Sequence, residues 1–156
     1  MADFNISIPK VLVNEGGLSN DKNDSGGLTN FGISQTSYPN EDIRNLTVDR
    51  AKFLYERDYW NPIMGNSILN QDIADSLFDF AVNAGVGSAV KLAQGVVGTV
   101  QDGAMGPKTI SAINIYSPEL FLAKFKLSKI QKYVNICMNN SSQKVFFFGW
   151  IVRALK

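Results

Sequence analysis

Histidine is missing from the 156-residue sequence, and cysteine occurs once, at Cys137. Without histidine there can be no Ser-His-Asp triad, no Cys-His dyad and no histidine-bound zinc. A single cysteine excludes an internal disulfide and any redox or metal motif that needs a pair of thiols. Acid–base chemistry in this chain therefore falls to carboxylates, tyrosine or lysine.

Long apolar runs are missing as well. The longest, "VFFFGWIV" at residues 145–152, is far shorter than the roughly 20 residues that span a bilayer, so no stable membrane insertion is predicted. Acidic Asp3 stands where a signal peptide carries positive charge, and no uninterrupted apolar core follows it. We expect the chain to accumulate in the cytoplasm where it is made, unless another system exports it.

Charge is nearly balanced overall, at +1, but it is unevenly distributed. Residues 1–100 hold 7 Lys/Arg against 12 Asp/Glu, whereas residues 101–156 hold 8 against 2. The split fits either two lobes that attract each other or a basic face for an anionic polymer. Nucleic acid is not a predicted partner, because the basic residues are spaced along helices without a recognisable binding motif.

The length and an apolar content of 45% predict one globular domain over residues 1–156. Apolar residues recur at helical spacing, and no alternation of strands and helices appears. Six to eight helices are predicted, over 4–14, 47–60, 72–84, 88–98, 106–114, 117–138 and 143–155, with the first starting near Ser7 or kinked at Pro9. The stretch 16–30 is rich in turn formers and predicts a loop or small hairpin. The fold class is thus mainly α, with a small N-terminal β-hairpin or loop region flanking a cleft.

Two side-chain placements follow from the same patterns. The aromatic residues of the last helix, Phe146, Phe147 and Trp150, are predicted in the core. The lysines of the long helix are predicted on a solvated face, with a secondary role in attracting an anionic cell wall; they are Lys124, Lys126, Lys129 and Lys132.

The segment "EGGLSNDKNDSGGLTNFGIS", residues 15–34, concentrates carboxylates among turn formers. If Glu15 ends a helix and the chain folds back at once, Asp24 and Thr29 can lie across a cleft from it. Glycosidases need one carboxylic acid to protonate the leaving oxygen and a second carboxylate to activate water or stabilise the oxocarbenium ion. Apolar neighbours favour a protonated Glu15, polar ones an ionised Asp24, and Thr29 could orient a water. The structural alternative is a solvated Glu15 at a helix end and an Asx turn at Asp24.

The segment "NEGGLSNDKNDSGGLTNFGIS" resembles the signature of glycoside hydrolase family 108, the bacterial and phage muramidases. Later blocks are similar to that family in the same order: "LYERDYWNP" at 54–62, "LFDFAVNAG" at 77–85, "QDGAMGPKTISAIN" at 101–114 and "FFGWIVRAL" at 147–155. Leu18 departs from the family, where an aromatic residue is common, and so does Pro9 inside the preceding helix. Thr29 stands one residue earlier than the corresponding threonine of phage-type lysozymes.

The resemblance implies a lysozyme-like α+β fold and hydrolysis of the β-1,4 bond between N-acetylmuramic acid and N-acetylglucosamine, without cofactor or metal. Glu15 would be the proton donor, with Asp24 and Thr29 as its partners. Tyr59 could stack on a sugar or belong to the core, and Asn83 could bond an N-acetyl group or cap its helix. Residues 1–85 then hold the catalytic blocks.

The remaining residues, 86–156, form a helical portion whose motif "DGAMGPKT" at 102–109 resembles that of small peptidoglycan-binding modules. A turn at Asp102-Gly103 followed by a helix start at Gly106-Pro107 explains the same motif without a ligand.

The implied partner is the glycan strand of peptidoglycan, which the protein would bind as a monomer. The implied setting is a phage endolysin that reaches the wall after a holin opens the membrane, with a bacterial wall-remodelling enzyme as the alternative. Two other activities fit the same residues: a lytic transglycosylase, which needs one Glu, and a non-catalytic wall-binding module.

Overall fold

The fold is known from a computed structural model that describes residues 1–15, 17–18 and 27–155, with Asn14 and Glu15 described by their backbone only. Within these ranges the chain forms seven α-helices and one two-stranded antiparallel sheet. The helices are α1 (Phe4–Glu15), α2 (Val48–Tyr55), α3 (Gln71–Ala84), α4 (Val86–Val97), α5 (Pro107–Ile115), α6 (Pro118–Asn139) and α7 (Lys144–Leu155). The strands are β1 (Thr29–Asn30) and β2 (Ile33–Ser34), and a π-helical turn, Glu56–Trp60, continues α2. The predicted fold class, mainly helical with a small N-terminal hairpin, is confirmed.

Helix starts follow local capping chemistry. The Thr47 side chain accepts a hydrogen bond from the backbone N–H of Arg50 at 3.2 Å, and the Ser117 side chain accepts one from Leu120 at 3.4 Å. Pro107 occupies the first turn of α5, where its missing N–H costs nothing. These starts lie where the sequence predicted them.

The first helix begins at Phe4, where the predicted range begins, with Pro9 inside it, and not near Ser7, the alternative start. Asp3 makes this start possible, because its carboxylate accepts from the Asn5 N–H at 2.8 Å. Pro9 inside α1 removes only the donor for the carbonyl of exposed Asn5, which water can satisfy. Burial of Phe4 and other apolar side chains of α1 outweighs that loss.

The small sheet closes through a tight turn at the end of the turn-rich stretch. Phe31 and Gly32 both have positive φ, 51° and 75°, as a two-residue type I′ hairpin turn requires. The strained Phe31 is held by its carbonyl, which accepts from the Tyr55 hydroxyl at 2.8 Å. Buried Asn30 donates to the carbonyl of Ile43 at 3.1 Å, which ties the hairpin to the loop that leads into α2.

Helix α3 lies at the centre of one continuous core. On one side Phe78 packs edge-on against Trp60, with ring centroids 5.4 Å apart, and both contact Phe4 of α1. On the other side Phe80 packs edge-on against Phe125 of α6 at 5.8 Å. The N-terminal and C-terminal parts of the chain therefore share their apolar interior.

The last helix is less buried than the sequence predicted. Phe146 is 54% exposed, so its predicted core position is wrong, and Phe147 and Trp150 are only partly buried against the core. Ala154 is the one residue of α7 that is buried. The physical reason is that α7 packs mainly on α6, which leaves its other faces uncovered.

Lys129 is a second correction. Rather than lying on a solvated face it is 4% exposed, between the rings of Phe80 and Phe125. Its Nζ donates to the Ser76 hydroxyl at 3.4 Å. The spacing explains the burial, because Phe125, Lys129 and Tyr133 stand four residues apart and form one row that faces the core.

Candidate functional site

Helices α1 and α3 pack in parallel, and their register determines what lies near the end of α1. The Asp3 N–H donates to Gln71 Oε1 at 2.8 Å, and the Ser7 hydroxyl donates to Asp75 Oδ1 at 2.5 Å. Both bonds join residues that are 68 apart in sequence. Extrapolated along the two helices, the same offset of 68 residues pairs Glu15 with Asn83, the penultimate residue of α3, and this pairing is a prediction.

The three predicted catalytic residues are described to different extents. Glu15 is the last residue of α1, while Asp24 lies outside the described residues. Thr29 lies in β1, half-buried, and its hydroxyl makes a long hydrogen bond of 3.4 Å to the Gly27 carbonyl. Their convergence on one substrate therefore stays a prediction.

Asn83 is exposed and makes a contact that the sequence did not indicate. Its Nδ2 donates to the Tyr133 hydroxyl of α6 at 2.7 Å. The end of α3 is closed instead by Gly85, whose N–H donates to the Ala81 carbonyl at 2.9 Å. Because Nδ2 is the engaged atom, the group that Asn83 can offer a ligand is its acceptor Oδ1.

Tyr133, which holds Asn83, is itself mostly buried, and this burial raises the pKa of its hydroxyl. The phenol is therefore a neutral hydrogen-bonding group at any pH near neutrality. A neutral partner holds the amide without adding a charge to the site.

The predicted aromatic pair at the end of the π-helical turn divides between core and surface. Trp60 is fully buried, with its indole N–H donating to Asn66 at 2.8 Å. Tyr59 is half-buried against Tyr55, with ring centroids 5.8 Å apart. Its other side lines a surface pocket of about 540 Å³, which we call the tyrosine pocket, formed by Ser37, Tyr38, Pro39, Asn40, Glu41, Arg57, Asp58 and Tyr59.

Charges in the tyrosine pocket are fixed by short hydrogen bonds. The Arg57 guanidinium donates two bonds to Asp58, of 2.6 and 2.7 Å, and holds the pKa of that carboxyl below its usual range. The Tyr38 hydroxyl donates to the same carboxylate at 2.8 Å. Burial, reinforced by the bond to Asp58, raises the pKa of Tyr38 well above its ordinary value. Aromatic walls with an ionised acceptor can bind sugar hydroxyls, but the carboxyls of this pocket, Glu41 and Asp58, both have lowered pKa values and are ionised near neutral pH, so neither is suited to an acid step.

A second cavity, of about 330 Å³, lies where α1, α3, α6 and α7 meet. It is lined by Ser7, Lys10, Val11, Asp72, Asp75, Ser76, Asp79, Leu122, Lys126, Lys129 and Arg153. Arg153 and Asp79 form an ion pair of 3.0 Å, and Lys10 pairs with Asp75. Burial lowers the pKa of Lys129, the most enclosed cation here. Because most of these charges are paired with one another, their role in holding the four helices together accounts for the polar lining of the cavity.

The "DGAMGPKT" motif is organised around a buried glutamine. Gln94 of α4 is 1% exposed; its Nε2 donates to Asp102 Oδ1 at 2.7 Å, and its Oε1 accepts from the Gly103 N–H at 2.9 Å. Gly103 has φ 81°, a conformation that favours glycine. These bonds fit the interpretation of the motif as a turn before a helix, and wall binding by it stays a prediction.

Three residues that contact the predicted ones were not identified by the sequence analysis: Tyr38, Asp58 and Tyr133. Asp58 stands next to Tyr59 in "ERDYW", so proximity in sequence was an available signal. Tyr133 is 50 residues from Asn83, and no local pattern pairs them. Among the described residues, no group of three or more Asp, Glu or Cys is placed to hold a metal ion.

Comparisons with known proteins divide the chain at the end of α3. A family model described as Glycosyl hydrolase 108 matches residues 8–85, here the hydrolase segment, and one described as Predicted Peptidoglycan domain matches residues 88–155, here the peptidoglycan segment. The solved structure of SagA from Brucella abortus is similar, with a TM-score of 0.82 and 27% identity over 97% of this chain and 88% of that chain. No curated protein matches the sequence. The bond between Asn83 and Tyr133 therefore joins the two matched segments.

Proposed function

Because the chain belongs to the glycosyl hydrolase 108 family, we propose that it hydrolyses the β-1,4 bond between N-acetylmuramic acid and N-acetylglucosamine in bacterial peptidoglycan. The match of the second half to a peptidoglycan domain supports the substrate class independently of the first. Both matched segments point to one polymer.

The observation that carries the proposal is the bond between the two segments at the end of α3, where Tyr133 of the peptidoglycan segment holds Asn83 of the hydrolase segment. In the proposed site Glu15, the last residue of the parallel helix α1, lies near this bond. A glycan bound here would touch both halves of the chain. This supports a site in which the second half helps to hold the substrate that the first half cleaves.

In the proposed mechanism Glu15 is the general acid. The C-terminal end of a helix carries partial negative charge, which favours a neutral over an ionised carboxyl at that position. A neutral carboxyl is the form that protonates a leaving glycosidic oxygen. Asp24 acts as the second carboxylate, as base or electrostatic partner, and Thr29 orients the attacking water.

Two further residues are proposed to bind substrate. Oδ1 of Asn83 can accept the N–H of an N-acetyl group, because its Nδ2 is already bonded to Tyr133. Tyr59 offers a half-buried ring at the tyrosine pocket, where a sugar face can stack and Asp58 can accept from a hydroxyl. The chemistry of both groups suits an N-acetylated sugar.

The test is a Glu15→Gln variant assayed for turbidity loss of purified, membrane-free cell walls. We expect clearing to stop while the melting temperature stays within about a degree of the parent, since a helix-end position tolerates an uncharged isostere. The matched control is Glu56→Gln, the same change at a half-buried position of the hydrolase segment. Clearing by Glu15→Gln at the parent rate would refute the assignment.

Product analysis separates the competing reactions. Hydrolysis adds one water for each bond cut, whereas a lytic transglycosylase leaves a 1,6-anhydro end, so mass spectrometry of released fragments distinguishes them. A non-catalytic module would be retained on walls without releasing any soluble fragment.

We propose that the protein acts in host-cell lysis as a phage endolysin. Its occurrence beside a holin gene would support that setting, and a secretion-system neighbourhood would contradict it.

A further inference from the structure

Helix α7 has apolar side chains on two sides. Its inner side packs on the rest of the protein through Phe147, Trp150, Ile151 and Ala154. Its outward side carries a second row, here the outer stripe, made of Val145, Phe148, Val152 and Leu155 at helical spacings of three, four and three residues. The stripe residues are 78%, 80%, 42% and 56% exposed in that order.

Such a stripe differs from scattered surface hydrophobics. Single exposed apolar residues are normal in globular proteins, but a continuous row along one helix face indicates a surface that is covered in use. A surface helix with one buried face normally has a polar outward side, and α7 carries the stripe there. The question is which partner covers the stripe.

Charge around the stripe restricts the partner. After Glu119 the sequence contains no Asp or Glu. Of the basic residues there, Lys129 is buried and Arg153 pairs with Asp79, whereas Lys126 lies at one end of the stripe, where its Nζ donates to the Leu155 carbonyl at 3.0 Å. Lys144 is exposed on α7, beside Phe148 one turn further along the helix. A second copy would bring the same positive charge to the contact, and four side chains are few beside the roughly 20 to 30 residues that each partner contributes to a stable interface. A negatively charged apolar surface fits both properties.

We infer that the outer stripe docks the protein on an anionic lipid bilayer, with α7 lying along the membrane surface. Apolar residues on one face with basic residues around them are what interfacial helices use to enter the headgroup region. No helix in the described part of the chain is long and apolar enough to cross a bilayer, so α7 would lie on the membrane rather than span it. The stripe shares no residue with the proposed glycan site, and docking through it would hold the enzyme beside the membrane that the wall encloses.

The test is co-sedimentation of the full chain with vesicles of phosphatidylglycerol and phosphatidylcholine, compared with vesicles of phosphatidylcholine alone. We expect binding to the anionic vesicles that weakens as salt is raised. The double variant Phe148→Ser/Val152→Ser should reduce this binding by about tenfold or more, because two apolar side chains no longer enter the bilayer. The matched control is Ile115→Ser, which removes an apolar residue that is 84% exposed but lies at the end of α5.

Several results would overturn the inference. Equal binding of the double variant and the Ile115→Ser control would show that the stripe makes no lipid contact. Equal binding to both vesicle types would exclude the charge contribution. A concentration-dependent dimer, seen by light scattering and abolished in the double variant, would identify a second copy as the partner. Clearing of membrane-free walls should be unchanged in the double variant, so the outcome is independent of the proposed hydrolysis.

Discussion

Replacing Lys129 with methionine is expected to make the protein more stable. Lys129 is buried, with 4% of the residue exposed, and the hydrogen bond of its ammonium to Ser76 is long at 3.4 Å. Among the residues that the structure describes, no carboxylate forms an ion pair with it; Asp79 acts only through its more distant charge. Methionine is similar in length, apolar and adaptable, so it can fill the same space between Phe80 and Phe125.

The expected gain follows from opposing contributions. Replacing buried ionic groups by apolar ones of similar volume stabilises proteins by roughly 1 to 4 kcal/mol. The variant loses the cation–π contacts of Lys129 with Phe125 at 5.3 Å and Phe80 at 5.9 Å, worth together about 1 kcal/mol. The net expectation is a gain of about 0 to 3 kcal/mol. In a chain of this length the upper end corresponds to a rise in melting temperature of roughly 6 to 12 °C.

The pH dependence provides a second, more specific readout. Burial lowers the pKa of Lys129 in the folded protein below the ordinary lysine value of 10.5. Between the folded and unfolded values the unfolded chain binds more protons, so the free energy of unfolding rises with pH there. The penalty from Lys129 is complete below its folded pKa and is relieved as pH approaches 10.5. The advantage of the methionine variant should therefore be greatest near neutral pH and decline toward pH 10.

Thermal unfolding followed by circular dichroism between pH 6 and pH 10 measures both effects. The control is Lys132→Met, which changes a half-buried lysine of the same helix and should shift the melting temperature by much less. A Lys129→Met variant that melts below the parent at neutral pH would refute the desolvation argument. An advantage that stays constant up to pH 10 would show that packing, and not charge, accounts for it.

Two further predictions concern a close approach and a positioning contact. A Cβ at Gly65 would lie 2.3 Å from the ring of fully buried Trp60, so Gly65→Ala should lower the free energy of unfolding, measured by chemical denaturation, by about 1 to 3 kcal/mol or more. The control Gly87→Ala adds a Cβ in open space within α4 and should leave that free energy unchanged or raise it by up to about 1 kcal/mol, so equal effects of the two changes would contradict the clash. Tyr133→Phe removes the hydroxyl that holds Asn83, so the KM for cell-wall fragments should rise with kcat little changed, and a fall in kcat alone would argue against a substrate-binding role.

Much of the fold was predictable because its signals are local. The side chains of Thr47 and Ser117 cap their helices by accepting from backbone N–H groups three residues further on, and the sequence itself indicates such local contacts. The errors at Lys129 and Phe146 arose where tertiary packing decides the environment of a residue. Lys129 is buried by its place in a row with two aromatic residues, and Phe146 is exposed because too few elements remain to cover the last helix.

The candidate site divides in the same way. A helix over residues 4–14 was predicted from sequence, and α1 ends one residue later, at Glu15, as the site hypothesis supposed. The contacts that give Asn83 and Tyr59 their surroundings were not predicted, because Tyr133 and Tyr38 are 50 and 21 residues away from them along the chain. Nothing short of the packed helices brings those pairs together.

The boundary between the two matched segments runs through the core and not around it. Phe80 and Ser76 belong to the hydrolase segment, yet their partners Phe125 and Lys129 belong to the peptidoglycan segment. A chimaera made by joining residues 1–85 to an unrelated wall-binding module would leave the far side of α3 exposed to water. A recombined chain would therefore fold only if the new second segment rebuilt the same aromatic contacts with α3. The two segments thus depend on each other for their packing and cannot be exchanged freely.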